Sequence, residues 1–190
     1  MPPFNHFDFL APFYDRFIKT VDLTRYIAFA GLPVSGRLLD AGGGTGRKSF
    51  PLLKMVNHIV IADSSMGMIT QAVKKNGLMS VCSETERLPF EDKSFERVIM
   101  VDAFHHVSDY RVTAGELWRV VKPGGRIVIE EPDIQAVPIK IIALIEKIAL
   151  MRSHFIPPQD IAATFTYPNA SVRIEIENSI AWIVITKQEE

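Results

Sequence analysis

Apolar residues in this chain fall into short runs separated by stretches whose apolar positions recur at helical spacing. Arg37–Ala41 (RLLDA) predicts a short buried strand, and His58–Ala62 (HIVIA), Leu78–Cys82 (LMSVC), Phe95–Val101 (FERVIMV) and Arg126–Glu130 (RIVIE) predict four more strands. Between them, Thr45–Val56, Met66–Asn76 and Tyr110–Val121 predict helices, with Gly77 as the stop of the second and KPGG, Lys122–Gly125, as the turn after the third. Phe9–Ala30 predicts one or two helices ahead of the first strand; Val137–Ser153 predicts a long helix and Gln159–Phe165 a short one behind the fifth. The tail differs. Ser171–Lys187 alternates apolar and polar residues on both sides of Asn178-Ser179, the pattern of a β-hairpin.

Strands that alternate with helices imply an α/β fold, doubly wound, with a mostly parallel sheet covered on both faces and an antiparallel hairpin at its end. The 190 residues suit a single domain, and a hydrophobic content of 47% supplies its core. The formal net charge of -1, with scattered basic residues, argues against a nucleic-acid partner. The single cysteine, Cys82, excludes an internal disulfide and fits a cytoplasmic setting. No basic-then-apolar leader opens the sequence. The most apolar stretch, Ile134–Met151, carries Lys140, Glu146, Lys147 and Pro138, so no stable membrane insertion is expected.

The chemistry concentrates in RLLDAGGGTGRKS, where four glycines occupy five positions directly after an apolar run and an aspartate. A strand, a glycine-rich turn and a helix N-terminus make a site whose free N–H groups favour an anion. A dinucleotide fingerprint, G-x-G-x-x-G, does not fit: with Gly42 and Gly44 as its first glycines, Arg47 falls at the third, and a start at Gly43 puts Thr45 at the second. Asp40 would repel a pyrophosphate but attract an ammonium. The expected ligand therefore carries an anionic and a cationic end, as an amino-acid moiety does.

Asp40–Gly46 (DAGGGTG) resembles motif I of the class I S-adenosylmethionine-dependent methyltransferases. Val60–Ile69, Ser83–Asp109 and Glu116–Pro132 resemble further segments of that family, in order, and Phe7–Phe17 (FDFLAPFYDRF) resembles the start of its ubiquinone/menaquinone-biosynthesis group. The resemblance implies a Rossmann-like, seven-stranded sheet. It implies a helical lid over 1–35, a cofactor-binding core over 36–133, and helices with the terminal hairpin over 134–190. It implies S-adenosyl-L-methionine as cofactor, S-adenosyl-L-homocysteine as product, and a small-molecule methyl acceptor.

Residue by residue, the resemblance places Asp40, Ala41, Gly42, Gly43, Gly44 and Gly46 in the cofactor loop and Asp63 on the ribose hydroxyls. Ser64 and Met68 then fall in the adenine pocket. Glu84, in ETERLPF where the family has aspartate, would accept from the adenine amino group, and the Thr85 N–H would donate to a ring nitrogen. Val101 and Asp102 follow the fourth strand and fall near the reacting methyl; Tyr14 would close over the methionine end. Candidates for a proton acceptor are His105, His106, Asp102 and Tyr14. The two adjacent histidines lack companion ligands, so no metal is expected. Leu88-Pro89-Phe90, Trp118 and Arg119 read as structural. Apolar positions at Phe4, Phe7, Phe9, Phe13 and Phe17, and at Ile139, Ile141, Ile142 and Leu144, suit a hydrophobic acceptor, core packing or a homodimer contact. Competing functions are an inactive cofactor-binding partner subunit and an NAD(P)-dependent oxidoreductase; Asp40 and Arg47 disfavour the second.

Overall fold

The computed structural model describes residues 11, 23–136, 139–140 and 154–189. Helix α1, Leu23–Ala30, leads into strand β1, Arg37–Ala41. Next come a 3-10 helix at Phe50–Met55, β2 at His58–Asp63, α2 at Met66–Ala72, β3 at Leu78–Cys82 and β4 at Phe95–Val101. A short 3-10 turn at Phe104–His106 precedes α3, Tyr110–Val120, and β5, Val121–Pro132. Helix α4, Pro158–Ala162, then β6, Ala170–Glu177, and β7, Ile180–Lys187, complete the described elements.

These strands form one seven-stranded sheet in the order β3-β2-β1-β4-β5-β7-β6. Strands β1 to β5 pair in parallel, and β7 runs antiparallel between β5 and β6. The strand order reverses direction between β1 and β4, and ligands of such sheets collect at the carboxyl ends on either side of that point. Period-two alternation sends Leu39, Val60, Val98, Met100 and Ile127 to one face, beneath Leu117 and Trp118 of α3. Leu38, Ile59, Ile61, Ile99 and Val128 face the other way, beneath Tyr26 and Phe29 of α1. The fold is the doubly wound, Rossmann-like α/β arrangement with a C-terminal antiparallel hairpin.

The hairpin turn is Asn178-Ser179, with φ of 49° and 64°. Two successive left-handed residues give the turn whose twist matches paired strands. Its partner strand β7 is anchored at the far end by Lys187, whose buried ammonium donates to the carbonyls of Trp118 (2.9 Å) and Val121 (3.0 Å).

Several elements depart from the sequence expectation. The helix expected over Thr45–Val56 is a series of turns through Ser49 followed by the 3-10 helix. Pro51 explains this: it has no N–H to give to Arg47, and its ring obstructs an α-helical turn. Helix α2 ends at Ala72 rather than Asn76, and its remaining turns run to Gly77, at φ +96°. KPGG is not a turn outside the sheet but an irregular part of β5, where the pairing with β4 shifts between Phe95 and Arg97. The short helix expected over Gln159–Phe165 is α4, Pro158–Ala162. Of the helix expected over Val137–Ser153 only Ile139 and Lys140 are described, and both are helical; the rest of it, and the N-terminal aromatic residues with Tyr14, lie outside the described residues. Among the described residues, no helix is long and apolar enough to cross a membrane.

Helix α1 is fixed over the sheet by Trp182 of β7, whose ring meets Tyr26 at 4.9 Å and Phe29 at 5.1 Å between centroids. Arg126 donates to the Phe29 carbonyl at 2.9 Å and so ties down the end of the helix. Trp182→Ala should cost about 3–5 kcal/mol in urea unfolding, the range for emptying a buried tryptophan site. A loss below about 1 kcal/mol would show that α1 is held some other way.

Candidate active site

A cleft opens at the carboxyl ends of β1, β2 and β4, and the loop Gly42–Ser49 forms its floor. Asp40 leaves β1 on the α1 side of the sheet, because alternation puts it on the same face as Leu38. The side chain is 1% exposed, and neither carboxylate oxygen has a hydrogen-bond partner. Gly43 passes directly over it: a Cβ there would stand 2.5 Å from the carboxyl carbon of Asp40. Burial pushes the Asp40 pKa up to about 7, against the lowering effects of Ser49 and Lys48, with Asp63 adding repulsion. A buried carboxylate is costly, and a cationic group placed beside it would offset that cost.

The loop's amides are arranged differently from the sequence expectation. Gly42 and Gly43 N–H donate to the Ala62 carbonyl (2.7 and 3.3 Å), and Gly46 N–H to Gly43 O (2.8 Å). Gly44 N–H donates to Asp63 Oδ2 (2.8 Å). These four N–H groups are spent inside the protein, and no α-helix begins at the loop. The expected helix N-terminus at the loop is therefore corrected, and the N–H groups of its four glycines brace the loop itself. Gly44 sits at φ +55° with 3.8 Å of clearance to Met68 Sδ, so here the glycine serves the left-handed backbone. Gly46 is packed against Leu78, 2.5 Å from a Cβ built there, and faces the sheet rather than the cleft.

The β2 side of the cleft is ordered by Asp63. Its Oδ2 takes the Gly44 N–H and its Oδ1 takes the Ser65 N–H (2.8 Å), which fixes the carboxylate's orientation. Ser65, not Asp63, caps α2, accepting from the Met68 N–H at 3.1 Å. Opposite stand Glu84, exposed, and Thr85, buried. Glu86 straps this loop to the one after β4: its Oε1 accepts from the Ser108 (2.6 Å) and Asp109 (3.3 Å) N–H groups. Leu88 and Phe90 are held by Arg119, which donates to both carbonyls, so this segment is an anchor as the sequence reading has it.

At the end of β4, Asp102 adopts φ 50°, rare for a residue with a side chain, while its N–H donates to the Glu130 carbonyl at 3.0 Å. Glu131, buried on β5, accepts from the Ala103 (2.9 Å) and Phe104 (2.6 Å) N–H groups and meets His105 Nδ1 at 2.5 Å. His105 is thereby turned into the core. His106 faces the cleft, and burial, reinforced by His105, pulls its pKa down to about 3; it is a neutral imidazole and a weak base. On the neighbouring β5 position, Glu130 is buried and its pKa is raised to about 7 by burial and by Glu131. Its Oε1 lies 3.4 Å from Lys48 Nζ, which donates to the Tyr26 hydroxyl at 2.9 Å.

Of the residues predicted from sequence, Asp40, Gly42, Gly43, Gly44, Asp63, Ser64, Met68, Glu84, Thr85, Val101, Asp102 and His106 line this one cleft. Ala41 and Gly46 are buried beneath it, and His105 is engaged by Glu131. Tyr14 lies outside the described residues. Sequence reasoning did not place Thr45, Arg47, Lys48, Glu86, Met100, Val107 and Ser108 in the site, nor Glu130 and Glu131 behind it. The two acids could have been flagged: consecutive glutamates that close an apolar strand at its carboxyl end seldom serve packing alone.

Asp40 has a measurable consequence. Its folded pKa lies above the unfolded value of 3.8, so between about pH 4 and 7 the folded state keeps a proton that the unfolded chain has released. Stability of the ligand-free protein should fall as pH rises through that window, with the full penalty present above about pH 7. Asp40→Asn should remove the slope contributed by this residue and raise stability at pH 8 by about 1–3 kcal/mol, allowing for an unpaired amide. The check is denaturant unfolding of both proteins at pH 5 and pH 8.

Comparison with known proteins agrees with this geometry. The sequence model of a methyltransferase domain matches residues 39–129. The demethylmenaquinone methyltransferase of Clavibacter sepedonicus is 38% identical over 124 residues, covering 63% of this chain and 49% of that protein. The demethylmenaquinone methyltransferase of Streptomyces griseus is 35% identical over 96 residues, covering 50% and 42%. The matched part of the chain thus spans about half the length of these curated relatives. Among solved structures, the YcgJ protein of Bacillus subtilis superposes with a TM-score of 0.75 at 17% identity, covering 88% of this chain and 98% of that one. An S-adenosylmethionine-dependent methyltransferase of Aquifex aeolicus gives 0.69 at 19% identity, covering 86% and 88%. The glycine loop, the strand order and the cleft agree with this match to a methyltransferase domain over residues 39–129 and with the similarity to demethylmenaquinone methyltransferases over about half of their length.

Proposed function

We propose that this chain transfers a methyl group from S-adenosylmethionine to a small apolar acceptor, with demethylmenaquinone, named in its relatives, as the first candidate. The observation that carries the reading is Asp40: a fully buried carboxylate with no donor, beneath a loop that leaves it open to the cleft. The α-ammonium of a methionine moiety supplies the missing cation through a charge-assisted hydrogen bond. Asp63, oriented by two backbone amides, suits two ribose hydroxyls. Glu84, Thr85 and Met68 suit an adenine ring, whose flat face can pack on the polarizable thioether. Bound S-adenosylmethionine would supply a methyl group already activated by its sulfonium.

The residues of the chain then have to bind, align and keep water out. The left-handed backbone at Asp102, with Glu131 holding the next two amides, fixes the loop where β4 ends. His106 presents a neutral ring there, so it adds no charge that would repel a sulfonium. An acceptor that must lose a proton meets Asp102 as the exposed carboxylate of this wall; His105 and His106 are poorly suited, one by its engagement and the other by its weak basicity.

Isothermal calorimetry with S-adenosylmethionine, S-adenosylhomocysteine and NADH tests the reading: the first two should bind, and binding of NADH alone would reject it. Because only ionised Asp40 holds an ammonium, affinity for S-adenosylmethionine should rise with pH up to about 7, approaching tenfold per unit well below it, and level off above. Asp63→Ala should weaken binding by about 1–3 kcal/mol, the range for hydrogen bonds to a charged group. Turnover is then measured by transfer of radiolabelled methyl to a reduced demethylmenaquinone bearing a short prenyl chain. Binding without transfer to this or related quinols would favour a non-catalytic partner subunit instead.

A further inference from the structure

We infer that Arg47 is the residue that holds the carboxylate of the methionine moiety. The inference rests on the cofactor reading above and adds the half of the zwitterion that reading leaves unassigned. An amino-acid end brings an anion as well as an ammonium into the cleft. The usual receiver in a glycine loop is its backbone, but the N–H groups of Gly42, Gly43, Gly44 and Gly46 are already donated to Ala62, Asp63 and Gly43. The loop also ends in turns and a 3-10 helix rather than an α-helix, because Pro51 blocks the longer one. The N–H groups of these four glycines are thus not available to the anion, and no α-helix macrodipole is aligned on it.

Two cationic side chains of the loop line the cleft, Arg47 and Lys48. Lys48 is committed to the Tyr26 hydroxyl and to Glu130. Arg47 is not: its Nε and Nη1 are both out of water and neither has a hydrogen-bond partner. A guanidinium with two dry, idle donors has given up hydration without return, and such groups call for an acceptor that binds. Arg47 also repels Lys48, adding to the burial that lowers the lysine's pKa, and an anion beside it relieves that repulsion. Within one cleft the chain therefore presents an unpartnered carboxylate, Asp40, and an unpartnered guanidinium, Arg47. That pair is complementary to an α-amino acid and not to an uncharged ligand end.

The test compares binding of S-adenosylmethionine with its decarboxylated form, which keeps the ammonium, sulfonium and adenosine. Calorimetry on the wild type should show S-adenosylmethionine bound about 10- to 100-fold more tightly than the decarboxylated compound. Arg47→Met should lose that preference, binding S-adenosylmethionine correspondingly more weakly and the decarboxylated compound with little change. Arg47→Lys should restore part of the preference. Thermal unfolding of each variant confirms that it folds, which is expected because Arg47 has no partner to lose. If Arg47→Met keeps the wild-type preference, the carboxylate is held elsewhere and the inference is overturned. If the wild type binds neither compound, the cofactor reading itself fails, and this inference with it.

Discussion

A carboxylate buried without a donor is the constraint around which this site is organised. Asp40 occupies a strand position that alternation directs into the core beneath α1, where its neighbours are leucine and isoleucine. Its carboxyl is buried at the wall of the cleft, and the lowering effects of Ser49 and Lys48 do not offset that burial. An isolated domain selected for stability alone would place valine there. The loop geometry follows from this acid: Gly43 must lack a side chain to pass over it, and the neighbouring amides turn toward Ala62 and Asp63. A destabilising group at such a position suits a site that a cationic ligand would complete, an exchange of stability for binding.

The rest of the cleft is held by contacts between loops rather than within them. Glu86 joins the loop after β3 to that before α3, and Glu131 joins the loop after β4 to β5. Asp63 joins the glycine loop to the start of α2. Each acid accepts from two backbone N–H groups, so the loops keep their positions without regular secondary structure. The wall around the expected ligand is accordingly pre-formed on the ends of three parallel strands.

Much of this was legible in the sequence, for identifiable reasons. The strand bounds of β1 and β4 coincide with the apolar runs because a strand buried within the sheet leaves little room for polar residues; β3 coincides too, although it is an edge strand with no buried residue. The hairpin turn was visible because asparagine and serine in succession suit left-handed backbone. Asp40 and Asp63 could be singled out because strand ends in such a sheet meet ligands. The helix after the glycine loop was misread because helical periodicity outweighed one proline at position 51. Arg47 and Lys48 were passed over as ordinary basic residues; what distinguishes them is which neighbours are absent or present in three dimensions. The engagement of His105 by Glu131 spans 26 residues and two strands, and no local pattern announces it.

Strand β7 has a consequence for how the cleft is assembled. Glu130 and Glu131 are sequence neighbours, yet one serves the α1 side and the other the β4 loop, purely because a strand alternates its faces. Their register is shared with Trp182 and Ala181 on β7, which is inserted between β5 and β6. A slip of one residue there would exchange the two acids between faces and dismantle both arrangements. During synthesis the glycine loop and its aspartate emerge from the ribosome long before β7 does. The nascent cleft must therefore wait, incomplete, for a strand made some fifty residues after the glutamates it aligns.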